Sequence, residues 1–208
     1  MAILRAGILG GVKNKVGGVV GYNSRGLDII RSYAVPTNPN TTAQQIQRAL
    51  FSQIVRVLSA CWKDDIKRYW DIIQSGKTVT GWSRAVKVNL GLQSSEGFDY
   101  ELFQPVVGPL EIMENLSADY VPGGVTKVEV FLGGGMPYVP GLTPIGAALV
   151  YDKARNVAYL DFLTDLEQQT LSISLVGTPQ PEDLAVYAWS SDDLRTRTSP
   201  AAYVPLNV

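Results

Sequence analysis

The sequence predicts an α+β protein: a glycine-rich β-hairpin arm and a helical hairpin, followed by a small antiparallel β-sandwich of the immunoglobulin-like type. Three observations predict this class. Glycine and valine crowd an early segment, apolar residues then recur at helical spacing, and short β-rich runs separated by turn residues fill the remainder. The composition changes near residues 92–104. We therefore expect a β-arm plus helical region over 1–91 and a β-sandwich domain over 92–208.

The glycine-rich segment predicts a hairpin. Residues 7–26 hold seven glycines, but Lys13 and Lys15 do not fit the phosphate-loop pattern G-x-x-x-x-G-K-[ST]. The runs "KVGGVVGYN" and "LDIIRSYAV" read as two strands around the turn "SRG", where glycine readily adopts positive φ. Glycine-rich strands often lie where another backbone comes close, so we expect this arm to complete its pairing against a neighbour.

A helix is expected after Pro36 and Pro39, which stop the preceding strand. In "NPNTTAQQIQRALF" the capping-box spacing is met either by Thr41 with Gln44 or by Thr42 with Gln45. An apolar stripe at helical spacing follows: Ile46, Leu50, Ile54, Val57, Leu58 and Cys61.

Two shorter helices are predicted next. "KDDIKRYWDII" presents Ile66, Tyr69, Trp70 and Ile73, and its two aspartates lie in the first turn, where the helix dipole favours them. "TGWSRAVKVNL" is the third candidate and presents an apolar face of its own.

The second half predicts strands. "VTKVEVFLG", "IGAALVYD", "NVAYLDFL", "QTLSISLVG" and "DLAVYAWSS" are separated by segments rich in glycine and proline. "KVEV" and "LSISL" alternate polar and apolar residues, which is typical of strands with one buried face. Five or six such strands in about 100 residues indicate a small antiparallel sandwich.

The composition narrows the classes of function that are expected for the chain. The chain of 208 residues has no histidine and one cysteine, which removes the commonest general base and any intrachain disulfide. No apolar run approaches a membrane span, and the N-terminus does not resemble a secretory signal, so we expect synthesis in a cytoplasm and no membrane partner. We expect no enzyme activity, cofactor or metal.

The charge is divided along the chain. Residues 1–91 carry 13 lysines and arginines against four acidic residues, a balance of +9, whereas residues 92–208 carry five against 15, a balance of −10. A basic half suits nucleic acid or an acidic neighbour, and opposite halves also suit head-to-tail packing between copies.

Three groups of residues are candidates for a functional site. The carboxylates of Asp161, Asp165 and Glu167, and of Asp192 and Asp193, follow no calcium-loop pattern and are expected at strand ends and turns. Cys61 is expected to be a small buried hydrophobe, and Trp62, Tyr69, Trp70 and Trp82 to be core residues. The expected assembly interface is the basic and aromatic set of Lys13, Lys15, Tyr22, Arg25, Arg31 and Arg48.

The string "GILGGVKNKVGGVVGYNSRGLDIIRSYAVPTNPNTTAQQIQRALF" resembles the opening of a family of Bacteroidota and phage-borne proteins with no known activity. Its members share a G-x-x-G-x-V-G-x-V-V-G hairpin, an "R-S-x-P" turn and an N-P-x-T-x-A-Q-x-x-Q-R helix start. The later family segments are similar to Gly81–Asn89 and to Tyr187–Tyr203, so the resemblance spans most of the chain. One departure is "SYAVPTNP", which replaces a more basic linker.

The resemblance implies a virion structural protein, such as a head-decoration, neck or tail component, assembled in the host cytoplasm. The expected partners are other virion proteins and copies of the chain itself, with nucleic acid less favoured. The alternative is a bacterial surface or carbohydrate-binding module that uses the sandwich loops around Gly133–Thr143. A hydrolase that uses carboxylate side chains for catalysis is the least favoured of the three hypotheses.

Overall fold

The computed structural model describes residues 2–4, 14–35, 37–93, 98–133, 143–163 and 169–207. The contacts divide the chain into two compact units, Met1–Thr41 and Thr42–Val208. Over the described ranges, three α-helices and three four-stranded sheets confirm the predicted α+β class.

The N-terminal unit is a sheet with the strand order β1-β4-β3-β2. Its strands are β1 (Ala2–Leu4), β2 (Asn14–Val16), β3 (Val19–Ser24) and β4 (Leu27–Ser32). The predicted hairpin around the turn is confirmed as β3 and β4, which pair from Val19↔Ser32 to Ser24↔Leu27. The first predicted strand, "KVGGVVGYN", is not continuous, because a turn at Gly17 and Gly18 divides it between β2 and β3. Arg25 (φ 52°) and Gly26 (φ 78°) form its two-residue turn, with the pair of positive φ angles that suits the twist of adjoining strands.

Three helices open the second unit: α1 (Thr42–Cys61), α2 (Asp64–Ile73) and α3 (Gly81–Leu92). The start of α1 places Thr41 at the N-cap position, which agrees with the first of the two capping alternatives. The predicted stripe of α1 is buried from Leu50 onwards, whereas Ile46 is 45% exposed. None of the described helices is long and apolar enough to cross a membrane.

The short helices bury the faces that their sequences predict. Ile66, Tyr69 and Trp70 of α2 are fully or almost fully buried, and Asp64 and Asp65 occupy its first turn. The Thr80 side chain caps α3 by accepting a hydrogen bond from the Ser83 amide at 3.2 Å.

Eight strands of the described chain form the sandwich. One sheet has the order β11-β10-β7-β8 and the other the order β12-β5-β6-β9. Their bounds are β5 (Leu116–Val121), β6 (Lys127–Leu132), β7 (Pro144–Asp152), β8 (Val157–Leu163), β9 (Thr170–Ser174), β10 (Leu184–Asp192), β11 (Ala202–Val204) and β12 (Leu206–Asn207). A short 3₁₀ turn, Pro181–Asp183, precedes β10.

The strand order supports the immunoglobulin-like description. In immunoglobulin domains the first, second and fifth strands share one sheet, and the third, sixth and seventh share the other. Here β5, β6 and β9 are the first, second and fifth strands of the sandwich and share one sheet, whereas β7, β10 and β11 are the third, sixth and seventh and share the other. The fourth strand, β8, extends the sheet of the third. All five strand-like runs predicted in this half are confirmed, while β5, β11 and β12 were not singled out as strands. β12 also differs from the prediction because it pairs parallel to β5.

The central sheet is covered on both faces. All nine residues of β10 are buried, and the first six, Leu184–Trp189, alternate between two hydrophobic clusters. Ala185, Tyr187 and Trp189 pack with the helices, whereas Val186 and Ala188 pack with the β5-β6-β9 sheet. The second unit is therefore a three-layer structure of helices, central sheet and outer sheet.

The segment after α3 is part of this packing. Phe103 and Val106 are fully buried in the helix-facing cluster. The buried Asn89 amide group donates to the Gln104 carbonyl at 3.0 Å, and its Oδ1 accepts from the Gln104 backbone amide at 2.8 Å. We predicted a boundary at 91/92, whereas the contacts place the division at 41/42, because the helices share a core with the strands.

The helix–sheet core predicts a sharp contrast between two positions of α1. Leu58 is fully buried and Phe51 is 48% exposed. We expect Leu58→Ala to lower the free energy of unfolding by about 2–5 kcal/mol, because it removes buried methyl groups and leaves a cavity. Phe51→Ala, the control on the same helix, should change it by no more than about 0.5 kcal/mol. Urea denaturation of the full chain measures both, and equal losses would contradict this packing.

Candidate functional site

The N-terminal sheet brings several of the predicted interface residues onto one face. Lys15 of β2 is opposite Val20 of β3, and Val20 is opposite Arg31 of β4. Residues directly opposite each other in antiparallel strands project to the same side. Lys15, Val20 and Arg31 thus form one row across three strands.

Two tyrosines complete this surface. Tyr22 is two residues beyond Val20 on β3, so it lies on the same side, and the Arg31 guanidinium carbon is 5.9 Å from its ring centroid. The Lys15 Nζ lies 3.8 Å from the ring centroid of Tyr33, whose backbone amide donates to the Gly18 carbonyl. Both distances fall within the range of cation–π attraction. We call Lys15, Tyr22, Arg31 and Tyr33 the arm face.

The arm leaves its side chains exposed. Among residues 14–35, Gly21 is the only buried residue. Val16 is 63% exposed and Tyr33 is 48% exposed. The aromatic and aliphatic groups of this small sheet are therefore largely uncovered within the described residues.

Charge is unequal on this unit. Residues 1–41 contain five lysines and arginines and one acidic residue, Asp28. Asp28 is opposite Asn23 and accepts a hydrogen bond from its amide at 2.9 Å. This pair projects away from the arm face, because it alternates with Tyr22 and Ile29 along the two strands. The arm face therefore presents cations and aromatic rings without an acidic residue among its four members.

The remaining predicted interface residues are placed elsewhere. Arg25 is exposed in the β3–β4 turn, and Arg48 is exposed on α1 in the second unit. Lys13 lies outside the described residues. Tyr33 was not among the predicted interface residues. Its position two residues after Arg31 on an expected strand indicates that both side chains project to the same face.

The carboxylates singled out in the sequence do not converge in the described part of the chain. Asp161 is exposed on β8, whereas Asp165 and Glu167 lie outside the described residues. Asp192 is fully buried and accepts hydrogen bonds from the Thr196 hydroxyl and amide and from the Arg197 amide. Burial acts to raise the pKa of Asp192, but these hydrogen bonds outweigh it, and its pKa is lowered. Asp192 thus holds a turn. No group of three or more potential metal ligands occurs within the described ranges.

The helical aromatic residues belong mainly to the core, as predicted. The Tyr69 hydroxyl donates to the Ser191 hydroxyl at 2.9 Å, and the Trp70 indole donates to the Pro105 carbonyl at 2.8 Å. Trp62 and Trp82 are half-buried and meet edge to face with ring centroids 4.8 Å apart. These contacts attach the helices to the strands and to the segment that follows α3.

A cleft of about 510 Å³ lies beside α2 and β8. Arg195 donates to the Asp65 carboxylate there, and its guanidinium carbon lies 4.0 Å from the ring centroid of Phe162. These contacts tie the turn after β10 to the start of α2. The arginine and the aspartate compensate each other's charge, so neither is left as an isolated charge in the cleft.

The loop of the carbohydrate-binding alternative, Gly133–Thr143, is described only at its two ends. Residues 134–142 lie outside the described residues. That alternative stays a prediction from the sequence.

Comparison of the chain with protein-family models, with curated proteins and with solved structures finds no match.

Burial also determines the chemistry of the single cysteine. Cys61 is fully buried as predicted, and burial raises the pKa of its thiol from 9.0 to about 12, an effect that nearby Lys63 partly offsets. The thiolate is the nucleophilic form, so the folded protein holds much less of it than an unperturbed thiol does at the same pH. We expect Cys61 to resist iodoacetamide at pH 8 and to react fully after unfolding in guanidinium.

Mass spectrometry of the alkylated chain measures this difference. The same chain unfolded at the same pH and reagent concentration is the control. Stoichiometric labelling of the folded chain on the timescale of the unfolded control would contradict the burial of Cys61.

Proposed function

We propose that the chain is a non-enzymatic structural protein of a bacteriophage particle and that it acts through protein–protein assembly. The observation that carries the proposal is the exposed N-terminal sheet. Its described side chains have almost no core of their own, yet they include Tyr22, Tyr33, Val16 and Val19 at exposures of 36–63%. Small sheets gain stability when one face packs against another element. A partner in an assembly supplies that element.

The second unit supports the same function. It has two hydrophobic clusters and three packed layers, which make it a body able to hold its shape while the arm binds. The first two turns of α1 contain no buried residue before Leu50. Ile46 in these turns and Phe51 in the middle of the helix are each nearly half exposed, so the N-terminal half of α1 offers apolar surface to a neighbour as well.

The phage context comes from the resemblance of residues 10–51 and of the later segments to phage-borne proteins. A sequence without histidine agrees with a structural rather than a catalytic role. On this proposal the chain resides in the virion, and its partners are virion proteins.

The proposal predicts that the chain is a stoichiometric component of particles. Particles from a host that carries the gene, purified through a density gradient, should contain the chain at a constant ratio to the major capsid protein. Quantitative mass spectrometry across the gradient measures that ratio. If the chain stays at the top of the gradient while particles sediment, the proposal is wrong.

A second prediction concerns the arm. We expect Tyr22→Ser combined with Tyr33→Ser to lower incorporation at least about tenfold, because aromatic side chains dominate the binding energy of interfaces. Val176→Ser is the matched control, since this valine is 72% exposed on the sandwich. Circular dichroism of each purified variant tests whether the fold is retained. Equal incorporation of both variants would contradict the role of the arm.

A further inference from the structure

We propose that the arm face binds the outer face of the β5-β6-β9 sheet in a second copy of the same chain. The inference rests on the proposed function and names the partner and its surface. We call Asp119, Val121, Glu129 and Phe131 the outer sandwich face. The two surfaces lie on different units of one chain, so the association is head-to-tail between copies.

The outer sandwich face is defined by the strand register. Asp119 of β5 is directly opposite Glu129 of β6, Ser117 is opposite Phe131, and Val121 is opposite Lys127. The residues between them, Ala118, Val128 and Val130, are fully buried in the cluster between the two sheets. Asp119, Glu129, Val121 and Phe131 therefore project away from the sandwich core.

This face contains an electrostatic cost that a partner relieves. Two carboxylates directly opposite each other on neighbouring strands repel and destabilise the pair. The hydrogen-bond partners of these carboxylates are neutral: Asn207 donates to Asp119 at 3.0 Å, and Ser172 donates to Glu129 at 3.4 Å. Lys127 lies on the same face, yet the ion pairs of the described residues join it to neither acid.

The apolar groups of the outer face suit the arm as well. Phe131 is 37% exposed and Val121 is 38% exposed, and they flank the two carboxylates along the strands. On the arm face the ring of Tyr22 lies beside Arg31, and the ring of Tyr33 lies beside Lys15. The arm face thus combines two cations with two large apolar groups, and the outer sandwich face combines two carboxylates with two such groups, beside the single cation of Lys127.

The geometry of sheets allows these groups to meet. Two sheets pack face to face at about 10 Å with side chains from both interdigitating. Lys15 and Arg31 occupy strands on either side of β3, so they lie roughly 10 Å apart. That separation lets one arm face contact the Asp119–Glu129 pair together with the apolar groups beside it.

Charge complementarity favours a second copy over nucleic acid. The chain carries a balance of +9 over residues 1–91 and −10 over residues 92–208, so each copy supplies both signs. A protein groove that binds nucleic acid instead presents a track of cations along the phosphate backbone. The arm face offers two cations, and each already lies against a tyrosine ring.

Charge reversal in trans tests the proposal with the full chain. One variant carries Lys15→Glu and Arg31→Glu, and the other carries Asp119→Lys and Glu129→Lys. We expect the native chain to associate in sedimentation velocity at about 0.1 M salt and to weaken at least about tenfold at about 1 M, where the screening length falls from about 10 Å to about 3 Å. Each variant alone should be monomeric, because its arm face and outer face then carry the same sign.

An equimolar mixture of the two variants should associate again. The acidic arm of the first variant then meets the basic outer face of the second, and the native arm of the second meets the native outer face of the first. Restoration in the mixture also shows that both variants are folded. Arg84→Glu with Lys87→Glu, two exposed residues of α3, is the matched control and should associate like the native chain.

Three results would overturn the inference. They are a native chain that stays monomeric at low salt, a variant mixture that fails to associate while the native chain does, and an arm variant that associates normally. Fluorescence anisotropy with a labelled single-stranded oligonucleotide completes the test. Binding that is lost in the arm variant, with self-association unchanged, assigns the arm face to nucleic acid instead. Particle incorporation, measured separately, distinguishes failure of this inference from failure of the proposed function.

Discussion

The structure of the second unit depends on one constraint, which is that the central sheet must be covered on both faces. β10 has no exposed residue, and Tyr187 and Trp189 project to the side opposite Val186 and Ala188. An isolated sandwich would leave Tyr187 and Trp189 in water, at a cost of roughly 2–3 kcal/mol for each large side chain. The three helices, together with Phe103 and Val106 of the segment after α3, remove that cost, and for this reason the helices belong to the body of the protein rather than to the arm. The hydrogen bond from Tyr69 to Ser191 fixes their position over the sheet.

The arm is built under the opposite condition. Its strands have registered backbone pairing and a tight Arg25–Gly26 turn, but their described side chains are left largely uncovered. A sheet of this kind is ordered by its backbone hydrogen bonds and gains little hydrophobic stabilisation from its own side chains. Two parts of one chain therefore contribute different properties. The second unit contributes stability, and the arm contributes uncovered apolar surface.

The candidate site was predictable in part. Tyr22 and Arg31 were both included in the predicted interface set, but their proximity follows from the register of β3 against β4. The placement of Lys15 in the same row needed the register of β2 against β3, which the short run "NKV" does not specify. Arg48 follows the arm closely in sequence yet belongs to the second unit, because α1 begins the packed body at Thr42. The outer sandwich face was not predicted at all, since β5 was not recognised as a strand and the opposition of Asp119 and Glu129 arises only from its pairing.

By itself the sequence determined the three helices and five of the sandwich strands, where the arm turns, and that charge is separated along the chain. These properties are local, because periodicity of 3.6 or 2 and the φ angles allowed to glycine are set by neighbours in sequence. Only the tertiary structure decided which layer covers which. The alternation of β10 shows two apolar sides, but it does not say that one side meets Val128 and Val130 of the outer sheet and the other meets the helices. Packing between layers also explains why the chain divides at 41/42 and not at the predicted 91/92. The change in composition marks the end of the helices, whereas a compact unit ends where its packing ends. The packing of Phe103 and Val106 continues across the change in composition.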